Sequence, residues 1–286
     1  MGRDSTYQRI ARTFFWPAMK RTVADVVRAC AVCQTKGNHP PKDQKHTLTS
    51  TQDGYAFQRI SIDFVGPFPI STRGNRYILT VKDTFTRWIE AFPVANADAS
   101  TVCRLLDEQI FCRFGLPERI HADNGTHFTA RRLRELADIL GIEVTHTPAY
   151  NPKSNPVERS HRDLGPALKV FCQDSPASHW EESLNRVLFA LRTTVNRTTG
   201  LSPFQMLFGR DASQPIDLIF GNPEDQPEAL SKYEYNARIR ETIDRANAWA
   251  RINIGTAVRR QARQYHKDQK LFVLNARVWV YTPGPN

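Results

Sequence analysis

Three acidic residues stand in positions where a carboxylate can do chemistry. Asp63 interrupts an alternating apolar run, Ile60-Ser61-Ile62-Asp63-Phe64, and Asp123 opens an Asp-Asn-Gly turn after the short run Arg119 to Ala122. Glu158 follows a loop rich in Pro and Asn, at the opening of a helix. Hard oxygen ligands with open coordination positions suit Mg²⁺ or Mn²⁺, which keep waters and accept phosphate oxygens. Two such ions about 3.5–4 Å apart can activate a nucleophile and stabilise the leaving oxygen of a phosphodiester. Each acid also has a plainer explanation: a solvent-facing strand residue, a turn former, a first-turn acid favoured by the helix dipole. The chemistry requires elements that bring all three together.

Those elements are legible as a change of period along the chain. Tyr7, Ile10, Ala11, Phe14 and Phe15 recur at helical spacing up to Trp16-Pro17, and Val23, Val26 and Val27 begin a second short helix that runs into Cys30-Ala-Val-Cys33. A polar stretch from Thr35 to Gly54 reads as a linker. Ile60, Ile62 and Phe64 then alternate with Arg59, Ser61 and Asp63, predicting a strand closed by Gly66-Pro67 with Asp63 on the face opposite the apolar residues. Arg76 to Val81 and Arg87 to Phe92 continue it as a meander. Residues 98–114 predict a helix stopped by Gly115, Arg119 to Ala122 a strand, Phe128 to Leu140 a helix stopped by Gly141, and Glu143 to His146 a last strand. The result is an α/β fold, a five-stranded mixed sheet flanked by helices. If its first and fourth strands are parallel neighbours, Asp63 and Asp123 lie within reach of one cation, and the helix carrying Glu158 closes the third side. Beyond it, 157–195 and 231–268 predict helices, and Arg277 to Tyr281 a strand.

Residues 57 to about 210 resemble the catalytic core of a retroviral-type integrase, specifically that of gypsy-like LTR retrotransposons. The resemblance rests on Ser61-Ile62-Asp63-Phe64-Val65-Gly66-Pro67, on His121-Ala122-Asp123-Asn124-Gly125-Thr126-His127-Phe128, and on Tyr150-Asn151-Pro152-Lys153-Ser154-Asn155-Pro156-Val157-Glu158-Arg159. Thr199 to Phe204 with Leu207-Phe208-Gly209 resembles the segment that follows the core, and the Asp123 to Glu158 interval has the length usual in that family. It departs from the pattern at Asn151, Lys153, Pro156 and His161, none of them in the acidic triad. The resemblance implies an RNase H-like fold, a metal-binding triad of Asp63, Asp123 and Glu158 holding two Mg²⁺ or Mn²⁺ ions, and DNA 3′-end processing followed by strand transfer. It further implies a homo-oligomer on DNA and a nuclear site of action after a cytoplasmic particle stage.

Cys30-x2-Cys33 supplies two thiolates at the spacing of a zinc half-site. Residues 1–36 resemble the second half of the family's His-His-Cys-Cys module, whose histidines would precede Gly2. That reading leaves Zn²⁺ with two ligands in a chain truncated at both ends, with His39 and His46 too irregularly spaced to complete the site. The domain order that follows is the zinc-binding segment 1–36, a linker 37–56, the catalytic core 57–210, a helical basic extension 211–270 and the start of a β module at 271–286.

The chain's 39 Lys and Arg exceed its 29 Asp and Glu, for a formal charge of +10, which points to a polyanionic partner. Its 40% hydrophobic and 10% aromatic content excludes disorder throughout. No apolar run approaches the ~18 residues of a membrane span, and five cysteines, an odd count, argue against a secreted disulfide framework. On the helix opening near Asn155, Glu158, Arg162 and Lys169 share a stripe, and Val157, Leu164, Leu168 and Phe171 make an apolar one. Arg159 and Arg162 are candidate phosphate contacts, with Asn124, Lys153 and Asn155 shaping the loop over the DNA end. Arg259, Arg260 and Arg263 form a second basic cluster, while Trp180, Trp249 and Trp279 read as core residues. Two other readings fit the same residues: an integrase-derived DNA-binding protein without catalysis, and a plain metal-dependent nuclease.

Overall fold

The structure, a computed structural model, describes residues 3–30, 53–123, 125–129, 131–146, 164–165, 167–172, 176–214, 217 and 232–267. Helices α1 (Arg3–Ile10) and α2 (Met19–Ala29) come first. Then β1 (Arg59–Val65), β2 (Tyr77–Asp83) and β3 (Ile89–Val94) form an antiparallel meander. Helix α3 (Ala99–Leu105) crosses to β4 (Arg119–Ala122), and helices α4 (Thr126–Thr129) and α5 (Arg131–Leu140) to β5 (Glu143–His146). The sheet order β3-β2-β1-β4-β5 sets β4 parallel to β1 and β5 parallel to β4. The expected mixed five-stranded sheet, with its first and fourth strands as parallel neighbours, is what forms.

Both faces of this sheet are covered. On one, Ile60, Ile62, Leu79 and Ile120 pack against Val102, Leu106 and Ile110 of the α3 segment and Leu133 and Ala137 of α5. On the other, Ile78, Ile89 and Ala91 meet Leu164, Leu168 and helix α6 (Trp180–Thr193) through Trp180, Leu184, Val187 and Leu188. Truncating a fully buried Ile60 or Ile62 to Ala would cost about 2–5 kcal/mol, because the packed layers cannot collapse into the gap. Helices α7 (Pro203–Phe208) and α8 (Lys232–Lys267) complete the fold, with Phe85, Met206 and Ala250 forming a smaller cluster between them and the β2–β3 turn.

Four sequence expectations are corrected. The helix over 98–114 is not uniform: α3 passes into a π turn, Leu106–Phe111, before Cys112–Phe114 and the stop at Gly115 (φ 88°). Leu105 with Ile110 and Leu106 with Phe111 are all buried, and that five-residue spacing fits i→i+5 geometry. Strand β2 ends two residues later than expected, since the buried Asp83 belongs to it rather than to a connection, and β3 runs Ile89–Val94 rather than Arg87 to Phe92. The helix over 157–195 is interrupted: residue 172 is a turn, Ala177–His179 is a 3₁₀ turn, and α6 starts at Trp180. Phe171 is 44% exposed rather than in the core stripe, and Trp249 is 55% exposed, its indole lying over Gly200. The linker 37–56 falls largely outside the described residues, as do the strand at Arg277 to Tyr281 and the start of the 157–195 helix.

The N-terminal helices are tied to the sheet domain by charge. Arg9 donates from Nη2 to Thr193 Oγ1 at 2.6 Å at the C-terminal end of α6, where a cation meets the helix dipole favourably. Arg12 pairs with Asp211 at 2.7 Å and Arg197 with Asp4 at 2.6 Å. No helix among the described residues is long and apolar enough to cross a membrane.

Candidate active site

The parallel β1–β4 ladder aligns Arg59 with Arg119, Ile60 with Ile120 and Ser61 with His121. Carried two residues further, the same register sets Asp63 beside Asp123, on strands that neighbour one another at about 4.8 Å. The two acids thus come from separate halves of the fold to one sheet edge, just where β4 ends. Asp63 shares its face with Ser61 and Val65, opposite Ile60 and Ile62.

Each carboxylate is oriented by its own backbone. The Phe64 N–H donates to Asp63 Oδ1 at 2.7 Å, and the Gly125 N–H to Asp123 Oδ1 at 2.8 Å. The Thr80 hydroxyl, from β2, donates to the Asp63 carbonyl at 3.0 Å, while the His146 ring lies with Nδ1 3.1 Å from the Asp123 carbonyl. A Cβ at Gly125 would lie 2.7 Å from His127 Nε2 and 2.9 Å from Asp123 Oδ1, so any side chain there would displace one of the two. Both acids are only partly buried, so a carboxylate here stays reachable from solvent.

Histidines ring the Asp123 turn. His121 Nδ1 is 3.0 Å from Thr145 Oγ1, and burial, with Arg59 and His146 nearby, pulls its pKa below the ordinary imidazole value. His127 is also lowered by burial, while the Asp123 charge pushes it back up. Its ring meets Phe64 edge-on at 4.8 Å and Phe128 at 4.3 Å, and Phe64 stacks on Phe128 at 5.4 Å. The sequence singled out His127 only as part of a motif; the signal for its place was a ring two residues past the glycine of the Asp-Asn-Gly turn.

Of the other candidates, Glu158, Asn124, Lys153, Asn155, Arg159, Arg162 and Cys33 lie outside the described residues. Among the described residues no group of three His, Cys, Asp or Glu side chains converges as a metal site. The donors that are placed, two carboxylates at one strand edge, fit a hard divalent cation, with a third oxygen ligand needed to complete the set. Cys30 ends α2 with a half-buried side chain. Arg259 and Arg260 are exposed on α8, and Arg263 lies on the same helix.

Residues 55–152 match the integrase core domain, and residues 1–39 the integrase zinc binding domain. The chain is 32% identical over 216 residues to the Gag-Pol polyprotein of koala retrovirus, and 27% identical over 215 residues to the retrovirus-related Pol polyprotein from transposon 412 of Drosophila melanogaster. These alignments cover 73% and 75% of the chain but only 12% and 17% of the polyproteins. A solved simian T-cell lymphotropic virus intasome in complex with PP2A regulatory subunit B56 gamma shares the fold, with a TM-score of 0.50 and 18% identity over 81% of this chain and 77% of that one. With its RNase H-like sheet and both integrase matches, the chain belongs to the retroviral-type integrases that retroviruses and LTR retrotransposons have in common.

Proposed function

We propose that the chain is a polynucleotidyl transferase that processes retroelement DNA 3′ ends and joins them to target DNA. One observation carries this reading: the β1–β4 register that sets Asp63 beside Asp123 within the residues matched by the integrase core. Asp63, Asp123 and Glu158 would hold Mg²⁺ or Mn²⁺. What such cations supply is a lower pKa for the attacking oxygen and neutralisation of charge on the leaving one.

The chain's own residues do the rest. The Phe64 and Gly125 N–H groups fix one oxygen of each aspartate, so the carboxylates need little reordering on binding. Asn124, Lys153 and Asn155 shape the loop over the DNA end, and Arg159 and Arg162 hold its phosphates. In processing, a water oxygen forms the new P–O bond as the P–O3′ bond breaks; the retained strand leaves with its 3′-hydroxyl, the released 3′-terminal fragment keeps the phosphate, and the water's proton passes to solvent. In joining, the freed 3′-hydroxyl attacks a target phosphodiester, a target 3′-hydroxyl leaves, and the attacking oxygen's proton passes to solvent. No covalent enzyme intermediate is needed.

The excess of positive charge and the exposed Arg259 and Arg260 support DNA as the partner, and Arg263 is a further candidate phosphate contact. Cys30 and Cys33 contribute two thiolates to a zinc site in the matched zinc-binding domain. The active form is a homo-oligomer on DNA, working in the nucleus where the target lies. A labelled branched DNA substrate tests the reading. Joined product that requires Mg²⁺ or Mn²⁺ and disappears in Asp123→Asn is expected. Nicking without joining would leave a nuclease, and salt-sensitive binding with no product a DNA-binding protein.

A further inference from the structure

The β1–β4 ladder stops at Ser61–His121 and β4 itself ends at Ala122, so that ladder ends before the two acids, although β2 still pairs with β1 at Asp63. Side chains beyond the ladder therefore help set how Asp123 stands to Asp63. The side chain placed to do so is His127. One edge of its ring meets Phe64, the residue that follows Asp63 and whose N–H orients it. The ring also closes against Gly125, whose N–H orients Asp123, so closely that no Cβ fits between them. Phe128, fully buried, backs both rings and anchors them to the core. The three rings therefore form a bridge from the chain beside one acid to the turn beside the other.

We infer that His127 is a positioning residue that sets the spacing of Asp63 and Asp123 through an aromatic clamp with Phe64 and Phe128. The inference rests on the two acids acting as a cation-binding pair. The ring acts by its shape and edge contacts. Partners that orient metal ligands typically matter about 10-fold or more in metal affinity. A planar ring that keeps the contacts, such as Phe, should preserve the clamp, whereas Ala or Leu should loosen it.

The test uses the full chain with His127→Ala, His127→Leu and His127→Phe, read by thermal melting titrated with Mn²⁺ in the absence of DNA and, separately, by joining rate against Mn²⁺ concentration. Ala is expected to raise the half-saturating Mn²⁺ concentration about 10-fold in both readouts, with the rate largely restored at saturation, and Phe to stay within about twofold. Should Ala fail to fold, Leu against Phe decides in the same way. Unchanged Mn²⁺ dependence in Ala or Leu overturns the inference. So does a Phe variant as impaired as Ala, which would assign the role to the imidazole nitrogens. Wild-type protein that shows no melting response to Mn²⁺ sinks the acid-pair reading itself and this inference with it, a result distinct from a responsive wild type with an indifferent Ala variant.

Discussion

Asp83 closes one end of the β1–β2 ladder across from Ile60, and Asp63 stands three pairs along it across from Thr80, in contrasting settings. Asp83 has no exposed surface and accepts from the Thr86 N–H at 2.8 Å, the Thr86 hydroxyl at 2.5 Å and the Phe85 N–H at 3.3 Å. It locks the β2–β3 turn, in which Arg87 takes a left-handed φ of 68°. Nearby on β3, buried Glu90 pairs with Arg192 at 2.7 Å and accepts from Trp88 Nε1 at 2.9 Å. Asp63 and Asp123, in contrast, lie at the sheet edge where β4 ends, partly exposed, each with one oxygen oriented by a local N–H. Acids that hold the fold are shielded and multiply bonded, while the two acids proposed to hold a cation stand at the rim with their geometry set but their surface open.

Substitutions in the two settings should therefore fail in different assays. Asp123→Asn keeps shape and the Gly125 contact but removes charge; joining should fall about 10³-fold, equivalent to about 4 kcal/mol of barrier, with melting temperature nearly unchanged. A variant that melts early yet still joins DNA would erase the distinction. Elsewhere in the sheet, Arg192→Leu leaves the buried Glu90 with only its longer ion pair to Arg113 at 3.9 Å among the described residues and should cost about 3 kcal/mol in urea unfolding. Adding Glu90→Leu should recover much of that, short of the contact Arg192 makes 4.4 Å over the Trp88 ring.

Asp83→Asn is the next smaller break. The amide nitrogen cannot accept the donors that the second carboxylate oxygen took, so about 2 kcal/mol should be lost. Burial raises the Asp83 pKa against the opposing pull of its Thr86 and Phe85 hydrogen bonds. With the folded value above the unfolded one, the stability this group contributes is fullest below the ordinary carboxylate range and declines as pH rises through the folded value. Asn does not titrate, so the deficit of the variant should narrow from low pH to neutral; denaturation midpoints across that range report it.

Much of the sheet was legible because Ile60, Ile62 and Phe64 alternate and because Asp-Asn-Gly follows a short apolar run. The pattern did not itself make β1 and β4 neighbours; that juxtaposition entered as a condition, and the sheet order supplies it. What misled was charge inside strands. Asp83 read as a connection residue, since nothing in a linear pattern shows that the Thr86 N–H will meet it. Phe171 and Trp249 read as core because size alone argues for burial, yet each ends on a helix face with too little packed over it. The docking of Arg9 on the end of α6 joins residues 184 positions apart and carries no local signal. His127 shows the same limit from the other side: its type was visible, but its contact with Phe64 exists only once β1 and β4 are aligned.

The smallest effects should come from charges that hold neither fold nor cation. Arg259 and Arg260 project from α8, Arg259 making only a long 3.4 Å contact to Thr256 among the described residues. Replacing both with Ala should leave the melting temperature within about 1 °C, since exposed single charges contribute little to stability. If each meets a DNA phosphate, the slope of log affinity against log salt should flatten by about 1.8, at about 0.9 for each phosphate no longer neutralised. Measured across sequences, the weakening should be uniform, because phosphate contacts position a duplex without reading it. An unchanged salt slope would return these arginines to the solvated face of a helix and confine DNA binding to the rim where Asp63 and Asp123 stand.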